Sequence, residues 1–279
     1  MSFRRKRKKK DRRRFRGVYL LPNLITTMSL FAGFYAIVAS MDGRFYAAAW
    51  AILISLILDG LDGRVARMTQ STSGFGVQYD SLADLVSFGV GPGIMAYLWA
   101  LKDFKQFGWA AAFLFVVCGA LRLARFNVQQ GSFDPRYFNG LPIPAAAVMV
   151  ASSVAFYHEL GLMAPQGSKF ILGMMYVLSF LMVSNIKYIS FKKVELFRRH
   201  PFHTLVGLVL IFVVVATAPN IMGFLLMAAY VASGPISTFV YHRRQAMTAK
   251  DEGEAPPAKL TNSQGLDLSG GGEAQSRPD

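Results

Sequence analysis

The 279-residue chain has one cysteine, Cys118. That excludes an intrachain disulfide framework and a thiolate-rich zinc site. Its four histidines (His158, His200, His203, His242) sit at segment ends, and no two share an i,i+4 face, so a histidine metal site has no spacing to build on. Charge is also scarce. Charged residues make up 16% of the chain, against about 25% in an ordinary soluble domain. Acids are the scarcest, with 16 Asp and Glu against 30 Lys and Arg, and six of the 16 fall after residue 250. No repeat of 20–50 residues is visible by eye. What is abundant is apolar, at 53% of the residues, with a net charge of +14. So apolar and basic a composition does not suit a typical soluble enzyme.

The apolar residues come in runs long enough to span a bilayer, whose core of about 30 Å needs about 20 helical residues. Helices are expected near 19–40, 45–68, 77–101, 107–127, 141–158, 169–186, 202–217 and 220–241, an all-α integral membrane protein of about eight spans. The first run is too long for a signal h-region and is expected to be retained. Residues 1–17 carry eleven Lys/Arg and one Asp. Directly abutting an apolar run, they read as a cytoplasmic juxtamembrane segment on anionic headgroups rather than a nucleic-acid arm. All but four of the 30 Lys and Arg lie on the side of the termini. The positive-inside rule places that side in the cytoplasm. The chain thus divides into the basic segment 1–17, a membrane domain 18–244, and a tail 245–279 expected to be disordered.

Outside the tail only ten acids remain, and four of them are Asp59, Asp62, Asp80 and Asp84. Asp59 and Asp62 are three apart and Asp80 and Asp84 four apart, so each pair shares a helix face. A short polar loop joins the two helices, which packs them antiparallel and side by side. Four carboxylates then converge in a polar cavity at the cytoplasmic boundary. Unneutralised they repel, and at apolar depth each is costly. Hard divalent cations suit such oxygens, and four carboxylates can hold two ions in the manner of sites that clamp a displacement at phosphorus. Gly63, Ala66 and Gly76 leave room beside the acids, and Arg67 offers a fork for a phosphate. Two other readings stay open at this point: ion pairs with Arg64 and Arg67, and an ion relay in a transporter.

These residues resemble the CDP-alcohol phosphotransferase signature, D-x2-D-G-x2-A-R-x8-G-x3-D-x3-D, at every defined position: Asp59, Asp62, Gly63, Ala66, Arg67, Gly76, Asp80 and Asp84. The resemblance implies two divalent cations (Mg²⁺ or Mn²⁺) on the acids and a CDP-linked lipid whose phosphorus is attacked by an alcohol, with release of CMP. By the same resemblance Asp59, Asp62 and Asp80 are metal ligands. Asp84 is the general base and also touches a metal. Gly63, Ala66, Gly76 and Arg67 line the nucleotide pocket.

A second stretch, Arg122-Leu123-Ala124-Arg125-Phe126-Asn127 followed by Phe138-Asn139-Gly140-Leu141-Pro142-Ile143-Pro144, is similar to the integral-membrane phosphatidylserine synthase branch of that family. So is Leu21-Pro22-Asn23-Leu24-Ile25-Thr26 at the first helix. The branch implies CDP-diacylglycerol and L-serine as substrates, contact with membrane lipids, no nucleic acid, and a homodimer. Arg122, Arg125 and Asn127 are the candidates for acceptor binding, since an arginine can grip a carboxylate with two parallel hydrogen bonds. Helix-end anchoring to headgroup phosphates is the other use of such arginines. Asn23 and Thr26 are candidates for nucleotide contact, against a helix-entry role. Gly140 to Pro144 reads as a shaped turn into the fifth helix. Trp99, Trp109 and Tyr188 read as interfacial belt residues. Glycerol 3-phosphate, inositol phosphate and choline remain alternative acceptors, and an ion-coupled transporter or a structural membrane protein remain alternatives of another class.

Overall fold

The structure is a computed structural model, and it describes residues 20–68, 74–128, 137–162, 165–189, 207 and 216–253. It is helical apart from one antiparallel pair of three-residue strands. In chain order the elements are α1 (Leu20–Met41), α2 (Phe45–Met68), α3 (Gly74–Phe104), α4 (Gln106–Val128), β1 (Tyr137–Asn139), α5 (Ile143–Glu159), α6 (Lys169–Val183), β2 (Lys187–Ile189) and α7 (Pro219–Gly253). Residues Met1–Phe239 form one compact unit, and Val240–Asp279 a second in which the described residues are the end of α7.

Among the described residues five helices are long and apolar enough to cross a membrane by length and composition: Leu21–Met41, Phe45–Ala66, Gly74–Phe104, Gln106–Val128 and Pro219–Ser237. They fit an integral membrane protein. The expected spans near 141–158 and 169–186 are helices of 17 and 15 residues. The expected span near 202–217 lies almost wholly outside the described residues.

α1 and α2 are an antiparallel hairpin turned by residues 42–44. Ala36, Ala39, Ala48, Ala49 and Ile52 are fully buried. Small side chains let helix backbones approach closely, which is how helices pack where lipid offers no hydrophobic driving force. Ser29 and Ser55 exchange hydroxyl contacts 2.8 Å apart across that seam, each also bonding the other's backbone carbonyl at 3.0 Å.

α3 is not uniform. It runs as an α-helix to Asp84, widens to π-helical turns at Leu85–Val90 and again at Tyr97–Leu101, and ends in a short 3₁₀ turn. Such turns insert a residue into the helical ladder and shift the faces on either side. The first begins directly after Asp84, so the helix below the acids need not keep their register. It buries Ser87, Phe88 and Gly89 against α1, α4 and α5, and Ser87 donates to the Ser29 carbonyl at 3.3 Å. α5 and α6 complete the core through Ile143, Val150, Ile171, Met175 and Leu178.

Two of the residues expected in the interface belt are instead buried. Trp99 is 3% exposed and lies edge-on to Tyr157, with ring centroids 5.3 Å apart. Tyr188 has no exposed surface. Trp109 is 55% exposed, as a belt residue would be. An aromatic near a helix end faces lipid or core according to the helix packed behind it, which local sequence does not state.

Candidate active site

The hairpin delivers the first two acids and α3 the others. Asp59 and Asp62 are on the last three turns of α2, and Asp80 and Asp84 on the first three turns of α3. A carboxylate oxygen from each of Asp59, Asp62 and Asp80 lies within 4.8 Å of the other two. Asp84 neighbours Asp59 on the facing helix. The spacing argument therefore holds in three dimensions: two short-period pairs on consecutive helices meet.

Neighbouring side chains hold the cluster in place. Thr26 Oγ1 on α1 donates to Asp62 Oδ2 at 2.7 Å, with the Pro22 carbonyl 3.1 Å away. Asp62 is only 4% exposed and Thr26 only 5%, so this bond fixes the carboxylate in an enclosed place. The next residue, Thr27, shares a 2.9 Å hydrogen bond with the Tyr79 hydroxyl on α3. α1 thus ties down both acid-bearing helices. The hydroxyl of Thr26, a candidate for nucleotide contact, is on a carboxylate. Asn23, one turn earlier, gives its backbone carbonyl to Thr27 at 2.7 Å.

The chemistry of the donor set fits divalent cations. Three hard oxygens converge, and the Cβ positions of Gly60 and Gly63 look into open space with nothing within 4 Å. That is room for an ion and for the phosphates of a ligand beside the acids. Among the described residues the one ion pair is Arg44 with Asp42, 2.8 Å apart in the turn at the far end of the hairpin. Arg64 is exposed, and the Arg67 side chain lies outside the described residues. Ala66 and Gly76 stand at the ends of the same two helices.

The second stretch separates into residues with different duties. Arg122 on α4 lies within electrostatic reach of Asp84, and its Nε has no hydrogen-bond partner among the described residues. Arg125, one turn on, is engaged with the chain itself. It donates to Asn185 Oδ1 at 2.6 Å and to the Val183 carbonyl at 3.4 Å, at the C-terminus of α6. Asn127 donates to Ser81 Oγ at 2.9 Å, beside Asp80. The sequence 138–144 forms the expected turn. Gly140 has φ +79°, donates to the Ile186 carbonyl at 2.8 Å, and sits so close to the last carbonyls of α6 that a Cβ would overlap the one of Met182. With Leu141 donating to the Leu181 carbonyl at 2.9 Å, the turn satisfies carbonyls that the end of a helix leaves without intrahelical partners.

An apolar groove of about 660 Å³ opens on the α1–α2 face, lined by Thr27, Phe31, Ala32, Trp50, Ile54 and Leu58 among others. It starts at Leu58, next to Asp59, and at Thr27, next to Thr26, and runs toward the turn of the hairpin. Between Thr27 and Tyr35, which also lines it, the helical rise amounts to about 12 Å. Sequence reading missed it, because its walls come from two helices and look like any lipid-facing stripe.

Comparison with known proteins agrees with this geometry. The family model described as CDP-alcohol phosphatidyltransferase matches residues 19–184. The chain belongs to that family. The matched stretch holds all four acids, both arginines and Gly140, and it ends just before β2. The CDP-diacylglycerol–serine O-phosphatidyltransferase of Helicobacter pylori (strain J99) is 47% identical over 178 residues, covering 64% of this chain and 75% of the relative. The archaetidylserine synthase of Methanothermobacter thermautotrophicus is 41% identical over 172 residues, covering 60% and 69%. The CDP-diacylglycerol–serine O-phosphatidyltransferase of Bacillus subtilis is 34% identical over 173 residues, covering 62% and 92%. As a family member, the chain carries its acids on a CDP-alcohol phosphatidyltransferase domain.

Proposed function

We propose that the protein is a phosphatidylserine synthase. It transfers the phosphatidyl group from CDP-diacylglycerol to the hydroxyl of L-serine and releases CMP. The observation that carries this reading is the convergence of Asp59, Asp62 and Asp80, with Asp84 beside Asp59, at one end of a membrane-type helix bundle in a member of this family. The names of the relatives support serine as the acceptor.

Asp59, Asp62 and Asp80 would hold the cations, with Asp84 in contact. Bound divalent cations would neutralise the diphosphate and the charge that gathers on the departing CMP. The chain's own residues do the rest. Thr26 keeps the Asp62 carboxylate from rotating. Gly63, Ala66 and Gly76, with Arg67 and Asn23, bound the space for cytidine and diphosphate. Arg122 receives the serine carboxylate and thereby aims the hydroxyl at Asp84. Asp84 takes the hydroxyl proton as the serine oxygen bonds to the phosphorus next to the lipid, and the bond from that phosphorus to the oxygen of CMP breaks. Asn127 and Arg125 support the acceptor side from Ser81 and from the end of α6. The apolar groove beside Asp59 receives an acyl chain of the lipid, so the tails stay in the bilayer.

The topology we propose has eight spans, with the site and both termini on the cytoplasmic side and residues 1–17 on anionic headgroups. The membrane domain spans 18–244, and the chain works as a homodimer. The decisive assay uses purified protein with CDP-diacylglycerol, Mg²⁺ or Mn²⁺ and labelled serine. Phosphatidylserine and CMP are the expected products. Turnover with glycerol 3-phosphate, inositol phosphate or choline, and none with serine, would reject the serine assignment.

A further inference from the structure

Three buried serines lie one helical turn away from Thr26 and the acids, toward the turn of the α1–α2 hairpin. Ser29 comes three residues after Thr26 on α1, Ser55 four before Asp59 on α2, and Ser87 three after Asp84 on α3. On α1 and α2 that spacing puts each serine on the face that carries Thr26 or the acids. All three meet at one residue. The Ser29 carbonyl accepts from Ser55 Oγ at 3.0 Å and from Ser87 Oγ at 3.3 Å, and the Ser29 and Ser55 hydroxyls lie 2.8 Å apart. A carbonyl has two lone pairs, so one residue of α1 serves both neighbouring helices. Between helices in a bilayer, bonds of this kind and close approach of small residues hold the bundle together. The approach is close here: one turn beyond Ser29, a Cβ on Gly33 would overlap Ser87.

α3 needs such a tie more than a regular helix would. It turns π-helical at Leu85, directly after Asp84, and a π-turn rotates the residues beyond it relative to those before it. The direction in which α3 leaves the acids is therefore not set by its own period. The Ser87 bond to Ser29 and the contact with Gly33 set it, against the helix whose Thr26 holds Asp62 at 2.7 Å. The Ser29–Ser55 contacts fix the other side of the same frame, between α1 and the helix of Asp59 and Asp62.

We propose that Ser29, Ser55 and Ser87 are positioning residues for the cation site. They hold α3 against the α1–α2 hairpin and so set how far the Asp80 and Asp84 carboxylates stand from those of Asp59 and Asp62. The consequence is selectivity among divalent cations. Mg²⁺ demands a small, near-octahedral set of oxygens, whereas Ca²⁺ accepts longer bonds and irregular geometry. A frame that keeps the acids close favours Mg²⁺, and loosening it costs Mg²⁺ more than Ca²⁺. This rests on the reading of the acids as a divalent-cation site and not on which alcohol is the acceptor.

The test measures cation binding by the full chain purified in detergent, below its melting temperature and without substrate. Bound Mn²⁺ is followed by the paramagnetic resonance signal of the free ion, and Mg²⁺ and Ca²⁺ are titrated in as competitors. Ser87→Ala is expected to weaken Mg²⁺ about tenfold, the low end for groups that orient ligands. Ca²⁺ should weaken by no more than about threefold, so the preference shifts toward Ca²⁺ by about threefold or more. Gly33→Ala removes no hydroxyl but displaces Ser87, and should shift the preference the same way. The control is Ser179→Ala. Ser179 is equally buried but donates to the Met175 carbonyl of its own helix at 2.7 Å, so its loss should leave the Mg²⁺/Ca²⁺ ratio unchanged even where it lowers the melting temperature. An unchanged ratio in Ser87→Ala overturns the proposal. So do equal losses of the two cations, or a shift of the same size in Ser179→Ala. If the unaltered protein binds no divalent cation, the cation-site reading falls and this inference with it; if it binds them and Ser87→Ala behaves like it, the inference alone falls.

Discussion

Thr26 on α1 holds Asp62 on α2 by a 2.7 Å hydrogen bond in a place where both side chains are almost fully enclosed. A hydroxyl that donates to a carboxylate leaves the remaining lone pairs of that carboxylate for other ligands. Hydrogen bonds to charged groups contribute about 1.5–3 kcal/mol. Thr26→Val keeps the shape and removes the donor. It is expected to raise the Mg²⁺ or Mn²⁺ concentration for half-maximal activity about tenfold while leaving the fold intact. A cation titration of the variant against the unaltered protein checks this; an unchanged midpoint would remove Thr26 from the site.

The carboxylates themselves should fall into two groups. Asp62→Asn and Asp80→Asn take away cation ligands, so turnover should drop by about 10² or more and Mn²⁺ binding by the purified protein should weaken with it. Asp84→Asn should abolish turnover to a similar degree yet keep most of the affinity for CDP-diacylglycerol. Chelation of the unaltered protein should stop the reaction, and added Mg²⁺ or Mn²⁺ should restore it. Full turnover by Asp84→Asn would end its role as base.

Arg122 and Arg125 are one helical turn apart, and their variants should differ in kind. Arg122→Ala is expected to raise the serine KM more than the lipid KM. Arg125→Ala loses its bonds to Asn185 and the Val183 carbonyl, worth about 1–3 kcal/mol, and should first lower the melting temperature in detergent. Thermal melts beside acceptor kinetics separate the two. A serine-specific KM effect in Arg125→Ala with no loss of stability would reverse the assignment.

The groove on the α1–α2 face makes a prediction about chain length. Ala32→Trp places an indole in its middle. The KM for long-chain CDP-diacylglycerol should rise several-fold, while a short-chain analogue should be little affected. Equal effects on both lipids would mean that the groove is only bilayer-facing surface.

Gly140 tests the turn that shapes the acceptor side. At φ +79° against the end of α6, alanine meets both a strained backbone and the Met182 carbonyl. An ordinary glycine-to-alanine change gains about 0.4–1 kcal/mol, whereas Gly140→Ala should destabilise by more than about 1 kcal/mol, seen as a lower melting temperature. A neutral melt would show that the turn relaxes freely.

Much of the site was legible in the sequence because it is local. Asp59 with Asp62, and Asp80 with Asp84, are set by the helical period, and the short loop between their helices makes them neighbours. The turn at Gly140–Pro144 was legible for a similar reason, since glycine and proline constrain their own backbone. The structure gave different duties to residues that a linear reading grouped together. Thr26 reaches a carboxylate 36 positions away, and Arg125 an asparagine 60 positions away.

By itself, then, the sequence determined the membrane character of the chain and the carboxylate pairs. Helix length, hydropathy and i,i+3 or i,i+4 spacing depend only on nearby residues. Tertiary structure decided which side chains support those acids, that Tyr188 is buried rather than interfacial, and that α7 meets it through Tyr230 and Val231. Those outcomes depend on which helices pack together after long stretches of chain, and on close approaches such as that of Gly234 to the Tyr188 ring.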